Sequence, residues 1–163
     1  MTLAEVNALD KGAFVARFGT LFEHSPWVVE SAAMLRPFDD LFDGLMGAVH
    51  RASAGQKLAL IRAHPELAGK AAIDHSLTEA SAAEQASAGL DRLTPAEHAR
   101  FHALNSAYKE RFGFPFIICV RLTDKAGILA AMERRLEDDR DTEIATALAQ
   151  IGEIVRLRLK DLS

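Results

Sequence analysis

Apolar residues recur at helical spacing along most of the chain, and polar punctuation separates the runs. Phe14, Phe18, Leu21 and Phe22 form a first stripe, with Asn7 and Asp10 before it as candidate caps. Ser25-Pro26 reads as an N-cap followed by proline at the first helical position, opening a helix through Met34 and Leu35 that Arg36-Pro37 stops. Phe38, Leu41, Phe42, Leu45 and Val49 carry a third helix to Ala52, and Leu58 with Ile61 mark a fourth, from Gln56 to His64.

At His64-Pro65 the pattern breaks. A residue before proline is pushed out of the α region, while proline suits the first position of a new helix, so a helix-to-helix corner is predicted with a short helix from Pro65 to Ile73. The positive end of that helix would favour the neutral imidazole of His64, the form useful for proton transfer near neutral pH. Ser81-x-x-Glu84 then matches a capping box whose helix Gly89 closes, and Thr94-x-x-Glu97 matches a second box. The latter opens a long helix with the stripe Phe101, Leu104, Tyr108 and Phe112, ended by Gly113. Phe114 to Val120 is the one strand-like run, and one run makes no sheet, so it reads as a buried extended connector. Thr123 is a candidate cap for a helix carrying Ile128, Leu129, Met132 and Leu136, and the last helix carries Ile144, Leu148, Ile151, Val155 and Leu159. The expectation is all-α: one domain over residues 1–163, a bundle of about eight helices.

Composition narrows the function classes. With 163 residues, 49% of them hydrophobic, the chain can bury one sizeable core. Lys and Arg number 19 against 23 Asp and Glu, a net charge of −4 with both signs interspersed, so no basic stripe points to nucleic acid or an anionic membrane surface. No targeting segment is evident, and no apolar run of about 18 residues offers a membrane span. The single cysteine, Cys119, sits in the apolar run Phe116-Ile117-Ile118-Cys119-Val120 and reads as a small buried hydrophobe in a reducing, cytoplasmic setting.

Few motifs carry chemistry by themselves. His98 and His102 have a spacing that can chelate zinc, but no third ligand and no cysteine pair accompany them, and no metal is expected. Neither a Gly-x-Ser-x-Gly elbow nor a Gly-x-Gly-x-x-Gly loop occurs. Three groups stand out, each with a plain structural reading beside the functional one: His64, which is catalytic or a half-buried corner residue; Glu84-Gln85, in which Glu84 is functional or a capping-box acid; and Arg158, which binds an anion or is a solvated arginine on a terminal helix.

An ordered set of short motifs joins them. Phe22-Glu23-His24-Ser25-Pro26-Trp27, Arg36-Pro37-Phe38, His64-Pro65-Glu66-Leu67-Ala68, Ser81-x-x-Glu84-Gln85, Ala88-Gly89-Leu90-Asp91, Asn105-x-x-Tyr108, Phe112-Gly113-Phe114-Pro115-Phe116 and Leu157-Arg158-Leu159 follow one another over nearly the whole chain. In this order they closely resemble the OHCU decarboxylases, which act on 2-oxo-4-hydroxy-4-carboxy-5-ureidoimidazoline in urate breakdown. The resemblance implies an all-α, cofactor-free carboxy-lyase, homodimeric, that converts OHCU to (S)-allantoin with loss of carbon dioxide. It puts the catalytic histidine on His64, the paired glutamate and glutamine on Glu84 and Gln85, and the substrate-binding arginine on Arg158. Pro65, Ser81 and Gln85, with the backbone of Phe116, Ile117 and Ile118, complete the implied substrate contacts. The chain departs from the family in having Glu66 where Asp is commoner, and in reading Arg135-Leu136-Glu137-Asp138 where Asn often follows the Arg-Leu. Arg156 competes with Arg158 for the anchoring role, although the two point roughly 200° apart around a helix.

Two other readings remain open. One is a non-enzymatic helical interaction module, in which Phe112 to Phe116 is core and His64 faces solvent. The other is hydrolysis of the upstream hydroxyisourate, an activity of a mainly β fold for which this chain offers no strands.

Overall fold

The computed structural model describes residues 1–69, 72 and 75–162, among which there are nine α-helices, one 3₁₀ turn and no strand. The all-α expectation holds. The chain divides into two compact units, one running to Ala63 and resuming at Gly152, the other spanning His64–Ile151.

The first unit contains α1 (Leu3–Ala8), α2 (Lys11–Phe18), α3 (Pro26–Ala33), α4 (Leu41–Arg51) and α5 (Ala54–Arg62). Local chemistry sets their starts: Thr2 makes a capping box with Glu5, Asp10 accepts from the Ala13 amide, Asp40 from that of Asp43, and Ser53 makes a second box with Gln56. Asn7 is no cap. Its amide bonds both backbone groups of Phe38, donating to the carbonyl at 3.1 Å and accepting from the N–H at 2.9 Å. Arg36 donates to the carbonyls of Val6, Leu9 and Ala33 and lies over the Phe14 ring, so the stop after α3 is also a tie back to α1. Phe14, Phe18, Phe22, Val28, Leu45 and Val49 are buried as the stripes predict.

The second unit holds α6 (Glu79–Ser87), α7 (Pro95–Phe112), a 3₁₀ turn at Val120–Leu122, α8 (Lys125–Arg135) and the first half of α9 (Arg140–Asp161), whose second half belongs to the first unit. Three starts differ from expectation. The cap of α6 is Thr78, three residues before Ser81, and the cap of α8 is Asp124 rather than Thr123. Pro65 opens no helix at its own position: Pro65 and Glu66 have no regular structure, and Leu67 and Ala68 form a turn. The predicted short helix over Lys70, Ala71 and Ile73 lies outside the described residues.

The Thr94 capping box and Gly113, left-handed at φ 79°, bound α7 as expected. Past α6, Gly89 is also left-handed at φ 79°; its N–H donates to Ala86 and that of Leu90 to Gln85, which closes the helix with a paired C-terminal motif. Residues 114–119 are the extended connector, with Phe114, Phe116, Ile117 and Cys119 buried. Tyr108 packs against the Phe112, Phe114 and Phe116 rings with centroids 4.6, 5.9 and 5.3 Å away. Aromatic contacts of this kind add about 0.5–1.5 kcal/mol each beyond simple burial, so they lock the connector to α7.

Candidate active site

His64 follows α5 by two residues and is 8% exposed. With no helix beginning at Pro65, the dipole argument for its neutral form falls away; what holds this corner is a set of side-chain bonds to the turn behind it. Gln85 Oε1 accepts from the Ala68 N–H at 3.0 Å, Gln85 Nε2 donates to the Glu66 carbonyl at 3.4 Å, and Asn105 Nδ2 donates to the Leu67 carbonyl at 2.8 Å. Ala68 stands at φ 52°, a left-handed conformation that costs a non-glycine residue about 1 kcal/mol and persists where the surroundings fix it.

The earlier start of α6 changes the meaning of its residues. Thr78 accepts from the Ser81 amide at 3.2 Å, so Ser81 is an interior residue of the first turn and Glu84 belongs to no capping box. Ser81 and Gln85, four residues apart and on one helix face, are both 5% exposed, while Glu84 is half-buried. A cavity of about 550 Å³ is lined by Ala68, Ala82, Gln85, Ala86, Leu90 and His98 among others; of the sequence-predicted site residues only Gln85 reaches its wall.

Phe116 and Ile117 are held by a buried group that sequence reasoning missed. Arg135 stacks over the Phe116 ring at 4.2 Å, donates through Nη1 to the Ile117 carbonyl at 2.7 Å, and through Nε to Glu143 Oε1 at 2.8 Å. The Tyr108 hydroxyl donates to the same Glu143 oxygen at 2.6 Å. Burial pushes the Tyr108 phenol well above its ordinary range, and the bond to the Glu143 carboxylate pushes it further. A signal for both Glu143 and Asn105 was present: each interrupts an apolar stripe, Asn105 between Phe101 and Tyr108, Glu143 in step with Ala147 and Ile151.

In the first unit Arg158 is 7% exposed and donates through Nη1 to Glu23 and to the Leu21 carbonyl, both at 3.4 Å. Arg156 is exposed and lies over the Phe42 ring at 3.9 Å. Arg158 is therefore the buried cation of the pair. Among the described residues no group of three His, Cys, Asp or Glu side chains is placed to hold a metal ion, and no helix is long and apolar enough to cross a membrane. The interaction-module reading required His64 in solvent, and its burial goes against that reading.

The fold is all-α, and it buries a histidine, His64, on a side-chain-pinned corner and an arginine, Arg158, against Glu23. The family model described as OHCU decarboxylase matches residues 7–160, and the chain belongs to that family. A protein of Haloferax volcanii named 2-oxo-4-hydroxy-4-carboxy-5-ureidoimidazoline decarboxylase is 45% identical over 99% of this chain and 95% of its own length. A mouse protein of the same name is 38% identical, covering 99% of this chain and 93% of that protein. Among solved structures, an (S)-allantoin synthase superposes with a TM-score of 0.75 at 28% identity; this chain is covered to 99% and spans 54% of that one.

Proposed function

We propose that the chain decarboxylates OHCU to (S)-allantoin without a cofactor. The observation that carries this reading is the family match across residues 7–160, which takes in His64, Glu84, Gln85 and Arg158. The chemistry needs little beyond orientation and proton handling. When the C4–carboxylate bond breaks, its electron pair forms a C4=C5 bond, and the π pair of the ring C5=N bond moves onto nitrogen, which takes up a proton. Carbon dioxide leaves. The C4 hydroxyl then gives up its proton as C4 becomes a carbonyl, and C5 gains one. The substrate is its own electron sink, so no pyridoxal or thiamine chemistry is called for.

In this reading His64 handles the proton of the C4 hydroxyl, Glu84 orients His64 or relays that proton, and Arg158 holds the substrate anion through its planar fork. Pro65 and Ser81 contact the substrate, and the backbone of Phe116, Ile117 and Ile118 lines the ring plane. Gln85 contributes the amide hydrogen left after its bonds to the turn. All 163 residues work as one decarboxylase domain, and the enzyme is a cytoplasmic homodimer acting on a free small molecule. The dimer rests on the family resemblance; the buried side chain of Cys119, the one cysteine of the sequence, suits a reducing compartment.

The test is to supply freshly generated OHCU and follow ellipticity. Optically active allantoin forming faster than the spontaneous reaction is expected, because one-faced protonation of C5 is what a protein adds to a decay that otherwise yields racemate. Racemate at the uncatalysed rate overturns the reading.

A further inference from the structure

We propose that Asn105 is a positioning residue for the decarboxylation: from α7 it clamps the Leu67 carbonyl and so fixes the corner from which His64 acts. The inference rests on the functional reading above for its link to turnover, while its structural core stands on the geometry alone. Three consecutive residues after Pro65, namely Glu66, Leu67 and Ala68, each have a backbone group tied to a buried side-chain amide, the outer two to Gln85 of α6 and the middle one to Asn105 of α7. Leu67 and Ala68 are themselves buried. The turn is thus gripped from two helices. Such a grip is what holds Ala68 in the left-handed region without a glycine.

Asn105 is otherwise poorly suited to its place. It is 5% exposed on the stripe Phe101, Leu104, Tyr108 and Phe112, where a leucine would continue the apolar face, and its Oδ1 is buried with no hydrogen-bond partner among the described residues. A buried acceptor left unmade is unfavourable, so the amide is retained there for its donor. That donor reaches the turn that begins three residues after His64. Misplacing a catalytic group by about 1 Å can cost on the order of a hundredfold in rate, which makes the corner worth fixing.

The test uses the full chain with Asn105→Leu and Asn105→Asp, the first keeping bulk and removing all polarity, the second keeping shape and removing the donor. Each is assayed well below its melting temperature. We expect kcat to fall at least tenfold, about 1.4 kcal/mol in the barrier, with KM changed by less than about twofold. The Ala68 amide should exchange with deuterium faster than in the wild type while amides of the α7 interior do not. Stable variants with wild-type kcat and unchanged Ala68 exchange overturn the proposal, as does a fall in kcat without faster exchange. Should wild type itself leave OHCU untouched, the functional reading fails on its own; faster Ala68 exchange then still supports the clamp, and unchanged exchange removes it too.

Discussion

Arg158 and Glu23 form a buried ion pair in the first unit, with their side chains 7% and 2% exposed and nitrogen and oxygen 3.4 Å apart. A buried charge with a fixed partner cannot be removed without cost: deleting one member of such a pair typically destabilises a protein by about 3–5 kcal/mol. We therefore expect Glu23→Gln to lower the melting temperature clearly. Arg158→Lys keeps the charge and loses the fork, so it should raise KM and lower turnover. Arg156→Lys should be close to wild type, because Arg156 lies exposed over Phe42, where stacking of a cation is worth about 0.5–1 kcal/mol. Allantoin ellipticity for both lysine variants decides between them. A crippled Arg156→Lys beside an intact Arg158→Lys would move the anchor by two residues.

Moving the start of α6 back to Thr78 separates two effects that the sequence pattern merges. Thr78→Ala removes the cap and should cost about 1 kcal/mol of stability, leaving turnover per folded molecule largely intact. Glu84→Gln keeps the side chain's shape and removes the carboxylate, which belongs to no capping box; it should reduce turnover per folded molecule on the order of tenfold to a hundredfold. Thermal melts and initial rates on the two variants test the pair, and a Glu84→Gln enzyme of undiminished rate would remove Glu84 from the mechanism.

His64→Asn keeps a polar side chain of related shape and abolishes proton transfer. The turn behind it is held by Gln85 and Asn105, neither of which depends on the imidazole for these bonds, so the fold should survive. Turnover should fall by about a hundredfold or more, the scale of general acid-base help. The far-ultraviolet spectrum checks the first expectation and the rate of allantoin formation the second.

What could be read from the chain follows the range of the interactions involved. The Thr94 box, the Gly113 stop and the buried connector are set by neighbours within four residues or by composition, and they appear where the pattern puts them. Around residue 80 the local rules were ambiguous, since Thr78 and Ser81 both satisfy the chemistry of a cap; burial of Ser81 and Gln85 on one face decides for Thr78. At Pro65 the preference for a helix start loses to bonds from residues 17 to 38 positions away, which no local window contains. Arg135 and Glu143 are eight residues apart in sequence, and their pairing across the break between α8 and α9 is tertiary. Charged residues on an apolar face were the visible clue, but a clue to burial says nothing about which partner is met.

No metal is expected to take part. His98 is half-buried and His102 exposed on α7, and no third ligand joins them among the described residues. Prolonged treatment with a strong chelator should leave the rate of allantoin formation unchanged. Elemental analysis finding one tightly held metal per chain, lost together with activity, would contradict the cofactor-free reading.

Tyr108 offers a test of the buried network that needs no substrate, because it is the only tyrosine in the chain. Its phenol donates to Glu143 and is raised by burial first and by that carboxylate second, with Arg135 pulling weakly the other way. Ionisation of Tyr108 would place a second anion beside Glu143 in a buried site. The native protein therefore favours the neutral phenol more than the unfolded chain does. A group raised on folding adds stability that is fully present below its unfolded value, near pH 10, and is lost as pH rises towards the folded value. Tyrosinate absorbance near 295 nm should accordingly stay absent in the native protein at pH 10 to 11 and appear only as the fold is lost, whereas in denaturant it should rise with a midpoint near pH 10. Tyr108→Phe should lose this part of the alkaline destabilisation. A native-state midpoint near 10 would mean that the phenol is not buried against Glu143 in solution and that the connector is held by Arg135 without it.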